Sequence, residues 1–373
     1  MRTQCVYLLK PLNYKYMLIR LSTLVITLLT FTCAICLAQN KFNKVDEWLA
    51  TNAPQMGGRV VLVVYQNGKT VYTGSQNNLS VKQKMVNRII ANRTGKPVSN
   101  AGFDADTRQP VASCSKWFSA ALVMTFVDEG KLKLTDTVGK FLPVLSKSGK
   151  GGITIAQCLS HQTGIKSPEL KESLRDMRDN NSMDEAITDI AALPIEGKPG
   201  TVFRYSNTGL QIAGAVIEKI SGKTFQQLFA DRITGPLNMA STDFNTGKVV
   251  LPAGGAVSTA NDYLKFLVMI LNKGTANGKR ILSEESIRQM QVNRITAGVT
   301  VAHSPAGAAA SGYGFGEWVM GNGSVSSPGL FGSYPVVNND KKYAAFLMAY
   351  YIKNDGRGER YRQLNSLFDE AMQ

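Results

Sequence analysis

Ser113 and Lys116 stand three residues apart in the stretch SCSKWFSAALVMTFVDEG. If that stretch is helical, one turn brings both side chains to the same face, with about 5 to 6 Å between their Cβ atoms. From Trp117 to Val127 the segment is apolar or small on every face, the pattern of a buried central helix. Burial and the positive end of the helix both disfavour an ammonium group, so a lysine placed there is driven toward its neutral form. A neutral amine beside a serine hydroxyl is a base beside a nucleophile. The chemistry this pair can do is cleavage of an ester or amide through a covalent acyl-Ser113, and positioned proton transfer is worth roughly 10² to 10⁴ in rate. A helix cap followed by a snorkelling lysine would give the same Ser-x-x-Lys text, but the apolar helix around this single occurrence favours the chemical reading.

Other nucleophilic or metal chemistry finds little support. His161 and His303 are the only imidazoles, and no nucleophile-elbow sequence accompanies either, so a Ser-His-Asp triad is not expected. His161 is read as a structural hydrogen-bonding residue. Cys114 follows Ser113 but is turned about 100° around the helix, away from that face. Two histidines and two cysteines without close spacing give no metal site, and no cofactor is expected. Cys114 and Cys158 are the cysteines left once a leader is removed; a disulfide between them is one reading, and two small buried hydrophobes the preferred one.

The elements that must position these residues come from both ends of the chain. Residues 41–53 read as a helix, and Val60–Tyr65 and Lys69–Thr73 as strands around the hairpin signal Asn67-Gly68. Near the other end, Gly332–Asn338 and Tyr343–Tyr351 flank a turn at Asn339-Asp340-Lys341, and Arg357–Met372 reads as a helix. Between them helical patterns dominate from Ser115 to about Leu237, with stops at Gly130, Gly164 and Gly222. The expected fold is α+β. One antiparallel sheet is built from both chain ends and flanked by the terminal helices, with a helical lobe inserted at about 116–250 and a cleft between the lobes for the site.

At this point a resemblance becomes specific. Ser113-Cys114-Ser115-Lys116 and Tyr205-Ser206-Asn207 match, in order, two motifs of the class C β-lactamase and penicillin-binding-protein-like serine hydrolases, which include esterases and DD-peptidases. The segments ITIAQCLSHQTG (153–164), KPGTVFRYSNTGLQIAGAVIEKISG (198–222), Pro236–Met239 and GGAVSTANDYLK (254–265) resemble that family's text, and the likeness extends over residues 41–373. It implies the β-lactamase/DD-peptidase-like fold, with Ser113 as acylated nucleophile and Lys116 as its base. It also implies Tyr205 as proton shuttle and activator of the deacylating water. Whether the lysine or the tyrosine takes the serine proton stays open at this level. Asn207 would orient the substrate's acyl side chain, although it also directly precedes the helical pattern Leu210–Ile220 and could serve as its N-cap.

The family's third motif, a basic or histidine residue two before a glycine, corresponds here to Ser327-Pro328-Gly329. Lys147-Ser148-Gly149 imitates it but precedes Tyr205, out of order. Ser327 therefore replaces the cation and Pro328 the hydroxyl that help hold a substrate carboxylate, which favours an esterase-like activity over β-lactam hydrolysis or D-Ala-D-Ala carboxypeptidase action. Ser327, Asn207 and Gly329 remain the implied substrate-contacting positions. The oxyanion hole would use the backbone N–H groups of Ser113 and Leu330. A non-catalytic cell-envelope binding module is the reading from a different class.

Composition sets the setting. The chain has 373 residues, 42 basic and 27 acidic. Leu21–Ala38 is uncharged, follows Lys10, Lys15 and Arg20, and ends in small residues, so residues 1–38 read as a secretory signal, with Met17 an alternative start that would make 1–16 a mis-annotated extension. Residues 39–373 then form one hydrolase domain, net +11, exported to the periplasm or beyond. An uncleaved anchor is the lesser alternative and the only membrane contact expected. The positive field suits anionic envelope polymers or substrates, yet no basic run or aromatic platform points to nucleic acid. The expected partner is a small ester, amide or peptidoglycan-like substrate.

Overall fold

The computed structural model describes residues 41–94, 102–168, 180–244, 247–305, 311–353 and 355–372. The leader expected at 1–38 lies outside them, and among the described residues no helix is long and apolar enough to cross a membrane. Helix α1 (Asn43–Asn52) buries Val45, Trp48, Leu49 and Asn52, one face at i, i+3, i+4 and i+7. Strands β1 (Arg59–Gln66) and β2 (Lys69–Asn77) follow, joined at Asn67 and Gly68 with φ of 52° and 82°. Two successive left-handed residues give the turn a twist that matches its strands, which is why Asn-Gly is so strong a signal.

Helix α2 (Val81–Thr94) leads on toward α3 (Ser115–Asp128), whose residues are all buried from Ser115 to Phe126. Helices α4 (Ile155–Leu159) and α5 (Met183–Ala192), strand β3 (Val202–Arg204), and helices α6 (Thr208–Ser221) and α7 (Ala260–Leu271) continue the middle of the chain. Then come β4 (Thr300–His303), β5 (Gly312–Tyr313), β6 (Trp318–Val319), β7 (Ser324–Ser326), β8 (Tyr334–Asn338), β9 (Tyr343–Ala349) and α8 (Arg357–Ala371).

Seven of these strands form one antiparallel sheet in the order β2-β1-β9-β8-β7-β6-β5. The first strand of the chain thus lies against the last, with Val60 opposite Ala349 and Gln66 opposite Tyr343. Successive side chains of a strand point to opposite faces, and here both faces are covered. Val60, Leu62, Val64, Ala345 and Leu347 pack with Trp48, Leu49, Leu364 and Phe368 of the terminal helices. Val61, Val63, Phe346 and Met348 join the larger core with α3, α6 and α7. Burial on both sides explains why these strands read as unbroken apolar runs rather than alternating ones. Close approaches tie the layers together: a Cβ on Gly316 would meet the Lys116 carbonyl oxygen at 2.4 Å, and one on Gly209 the Cys158 carbonyl oxygen at 2.1 Å.

Candidate active site

Ser113 lies in a single 3-10 turn, Ala112–Cys114, that runs directly into α3. It is partly exposed, whereas Ala112, Cys114, Ser115 and Lys116 around it are buried. Ala112 has φ of 48°, a left-handed backbone that costs a residue with a Cβ on the order of 1 kcal/mol. The surroundings hold it there. Ser115 Oγ donates to Ala112 O at 2.6 Å and accepts from Ala256 N at 3.0 Å, while Val111 N donates to Ala256 O at 3.0 Å. Tyr263 Oη donates to Cys114 O at 2.9 Å. The turn therefore presents one hydroxyl from a fixed frame.

Lys116 is fully buried, and its Nζ has three oxygen neighbours: Ala253 O at 2.8 Å, Asn207 Oδ1 at 3.2 Å and Ser113 Oγ at 3.3 Å. Burial lowers its pKa to about 7. Two of the three neighbours can only accept, so the two protons of a neutral amine go to Ala253 and Asn207. The remaining lone pair then faces the Ser113 hydroxyl, the arrangement a base needs.

Tyr205 follows β3, which pairs in parallel with β4; its backbone N–H donates to His303 O at 3.0 Å. Its ring stacks on Trp318 at 5.4 Å between centroids, and Lys116 Nζ lies 4.8 Å from its centre. Burial pushes the pKa of the phenol upward and the Ser113 side chain opposes the shift only in part, so it stays protonated near neutrality. His161 backs Tyr205 at 4.7 Å between rings. Its Nε2 lies 3.0 Å from Tyr313 Oη and its Nδ1 accepts from Ser206 N at 3.5 Å, so the Nε2–H tautomer suits both neighbours. Burial holds its pKa well below the usual range, which fits the structural role read from sequence.

Asn207 occupies the N-cap position of α6 but makes no capping hydrogen bond with its side chain. The capping alternative is therefore not what the side chain does; it goes to Lys116 instead. Ser327 is buried, and its hydroxyl donates to Gly316 O at 2.9 Å and lies 3.3 Å from Ser113 O. Its proton is committed inside the protein, leaving a lone pair for any substrate. Gly329 abuts the Ser113 turn: an added Cβ would lie 2.3 Å from Val111 O and 3.1 Å from Cys114 Sγ. That brings Leu330 beside the same turn. Cys114 and Cys158 are free and buried, so the disulfide reading gives way to the small-hydrophobe one. His303 contributes its backbone carbonyl and has an exposed side chain. Among the described residues no cluster of metal-ligating side chains occurs.

Sequence reasoning missed two participants. The Ala253 carbonyl that anchors Lys116 carries no side-chain signal, although it borders the GGAVSTANDYLK segment. Glu317 is fully buried, and neither carboxylate oxygen has a hydrogen-bond partner. Burial raises its pKa well above the carboxylate range; the Trp117 indole N–H faces it outside good hydrogen-bond geometry and opposes the shift only in part. An acid between Phe315 and Trp318, in otherwise apolar text, was the available clue.

The fold is shared with a Bacteroides dorei protein assigned as a beta-lactamase, with TM-score 0.72 and 26% identity over 89% of this chain and 98% of that one. EstCE1, a hydrolase with promiscuous acyltransferase activity, shares it at TM-score 0.70 and 17% identity over 90% of this chain and 100% of its own. A family VIII carboxylesterase does so at TM-score 0.66 and 19% identity, covering 89% and 96%. These likenesses define a fold of the β-lactamase and penicillin-binding-protein-like kind. The chain belongs to the beta-lactamase family, whose sequence profile matches residues 52–365. Protein Rv1367c of Mycobacterium tuberculosis is 28% identical over 243 residues, 51% of this chain and 60% of that protein. Protein flp of Staphylococcus aureus is 29% identical over 170 residues, 42% of this chain and 34% of its own. The matched regions thus span 60% and 34% of these two relatives.

Proposed function

We propose that this protein is an exported serine hydrolase that cleaves an ester or amide through a covalent acyl-Ser113, with an esterase-like substrate range. The observation that carries the reading is the buried Lys116 amine, with two obligate acceptors for its protons and the Ser113 hydroxyl as third neighbour. Lys116 takes the hydroxyl proton as Ser113 Oγ attacks the substrate carbonyl. The developing oxyanion is received by the N–H groups of Ser113 and Leu330, and such a donor is worth roughly 10² to 10³ in turnover. Tyr205, kept protonated by burial, gives its proton to the leaving group and recovers one from the Lys116 side. Water then attacks the acyl-enzyme carbonyl by the reverse proton path and releases Ser113. Asn207 fixes the amine and borders the acyl group.

Substrate preference follows from what stands at Ser327 and Pro328. Neither offers a cation, and the Ser327 proton is already given to the Gly316 carbonyl. A substrate that depends on its carboxylate is therefore disfavoured against a neutral ester. The family membership and the Bacteroides dorei likeness favour the second reading, β-lactam or D-Ala-D-Ala cleavage. Incubating the protein with a short p-nitrophenyl ester and separately with benzylpenicillin, with intact-mass detection, tests both. Ester turnover without a lasting penicillin adduct is expected, and turnover must vanish in Ser113→Ala. A folded protein that forms no adduct with either compound, nor with a fluorophosphonate, would favour the non-catalytic binding module.

A further inference from the structure

Leu330 sits in the turn Gly329–Gly332, which is closed by Gly332 N donating to Gly329 O at 3.0 Å. Gly329 N donates to Ser333 O at 2.8 Å, extending the β7–β8 pairing to the base of that turn. The Gly329 carbonyl receives a second donor. Arg357 Nη1, from the first turn of α8, reaches it at 3.3 Å, while Nη2 lies 3.2 Å from Tyr351 O and 3.3 Å from Lys353 O. The guanidinium is thus braced between the end of the sheet and the turn.

Gly329 O and the Leu330 N–H belong to one peptide unit. In a trans peptide they point in opposite directions, and the described chain has no cis bonds. Whatever fixes the carbonyl therefore aims the N–H. Among the described residues no acceptor takes the Leu330 N–H, so it is free for an incoming group. The glycine before it is required by the 2.3 Å approach to Val111 O, and glycine also lets the next peptide rotate easily. A rotation through half a turn would present a carbonyl oxygen where a negative charge develops. An external restraint on that peptide has a clear purpose.

We propose that Arg357 is a positioning residue for the oxyanion-binding peptide. It holds the Gly329 carbonyl, keeps the Leu330 N–H turned toward Ser113, and polarises that N–H through a charge-assisted hydrogen bond. The inference rests on the acyl-Ser113 reading above. Arg357 touches no reacting atom; it acts through the peptide it holds.

The test compares wild type with Arg357→Ala and Arg357→Lys, using active-site titration, a p-nitrophenyl ester and a boronic acid that mimics the tetrahedral adduct. For Arg357→Ala we expect kcat per titrated site to fall about ten- to a hundredfold with KM nearly unchanged, and boronate affinity to weaken by the same factor. Arg357→Lys should fall less, and added guanidinium should restore part of the Arg357→Ala loss. A crystal structure of Arg357→Ala should show the 329–330 peptide rotated. A merely structural role would lower the melting temperature and the titratable fraction while leaving kcat per site and boronate affinity intact, and that result overturns the proposal. So does an unrotated peptide with full activity. A wild type that binds no boronate and turns over no ester would instead sink the acyl-Ser113 reading, and the role of Arg357 with it.

Discussion

An amine whose pKa is lowered to about 7 changes charge within the range where most enzymes work. In the acyl-Ser113 mechanism proposed above, the neutral form of Lys116 acts as the base, so ester cleavage should rise with pH through a midpoint near that value and level off above it. A kcat/KM profile from pH 5 to 9 checks this, and a flat profile would remove Lys116 from the proton path. Lys116→Arg should lower kcat/KM at least a hundredfold at every pH, since a guanidinium does not deprotonate. Glu317 has the opposite tendency. Its folded-state pKa is raised, so the carboxyl is neutral in the fold but ionises in the unfolded chain above its ordinary value of 4.5. The contribution of Glu317 to stability is therefore greatest below that value and declines as pH rises. Glu317→Gln removes the decline and should gain on wild type by up to about 1.4 kcal/mol per pH unit above it. Urea unfolding at pH 5 and pH 8 measures the difference, and parallel curves would contradict it.

Elements decide whether those residues meet. The Ser113–Lys116 relation was legible because a 3-10 turn running directly into an apolar helix fixes it locally, and both hairpins were legible because turn chemistry and long apolar runs announce them. The partners supplied by short strands were not. β5 and β6 have two residues each, too few for any alternation, and the parallel pairing of β3 with β4 joins segments about a hundred residues apart. That pairing sets the backbone of Tyr205, whose position could be inferred from sequence only through family resemblance. The function of Gly329 belongs to this scale too. It lets the β7–β8 turn approach the Ser113 turn, so Gly329→Ala should separate them. We expect at least a tenfold loss of ester hydrolysis, with a smaller loss of stability in thermal melting; wild-type kinetics in this variant would show that the contact is not needed.

Across the whole molecule, the sheet separates two main cores with different duties, and a small third cluster of Phe203, Tyr313 and Trp318 packs against Tyr205. The larger one surrounds α3 and carries the site, whereas the smaller one seals the opposite face under α1 and α8. Phe368→Ala, in the smaller core, should cost about 3 to 5 kcal/mol of stability while leaving kcat per active site unchanged, measured by denaturation and by titrated turnover. A matching fall in kcat would show that the two cores are coupled. The broad division into a sheet from both ends and a helical middle followed from the order of apolar runs. Helix α2 escaped notice, because its text mixes Lys82, Lys84, Arg88 and Arg93 with apolar residues in no clear stripe.

The pairing of Val60 with Ala349 joins residues 289 positions apart. A chain emerging from its N-terminus therefore makes β1 long before the strand that must lie beside it. Until then β1 offers a bare edge, apolar on both faces, of the kind that recruits foreign strands. The sheet can close only when almost the entire chain is present. Folding is in that sense a terminal event, slow for want of early local contacts, and until it occurs α3 has no floor to rest on.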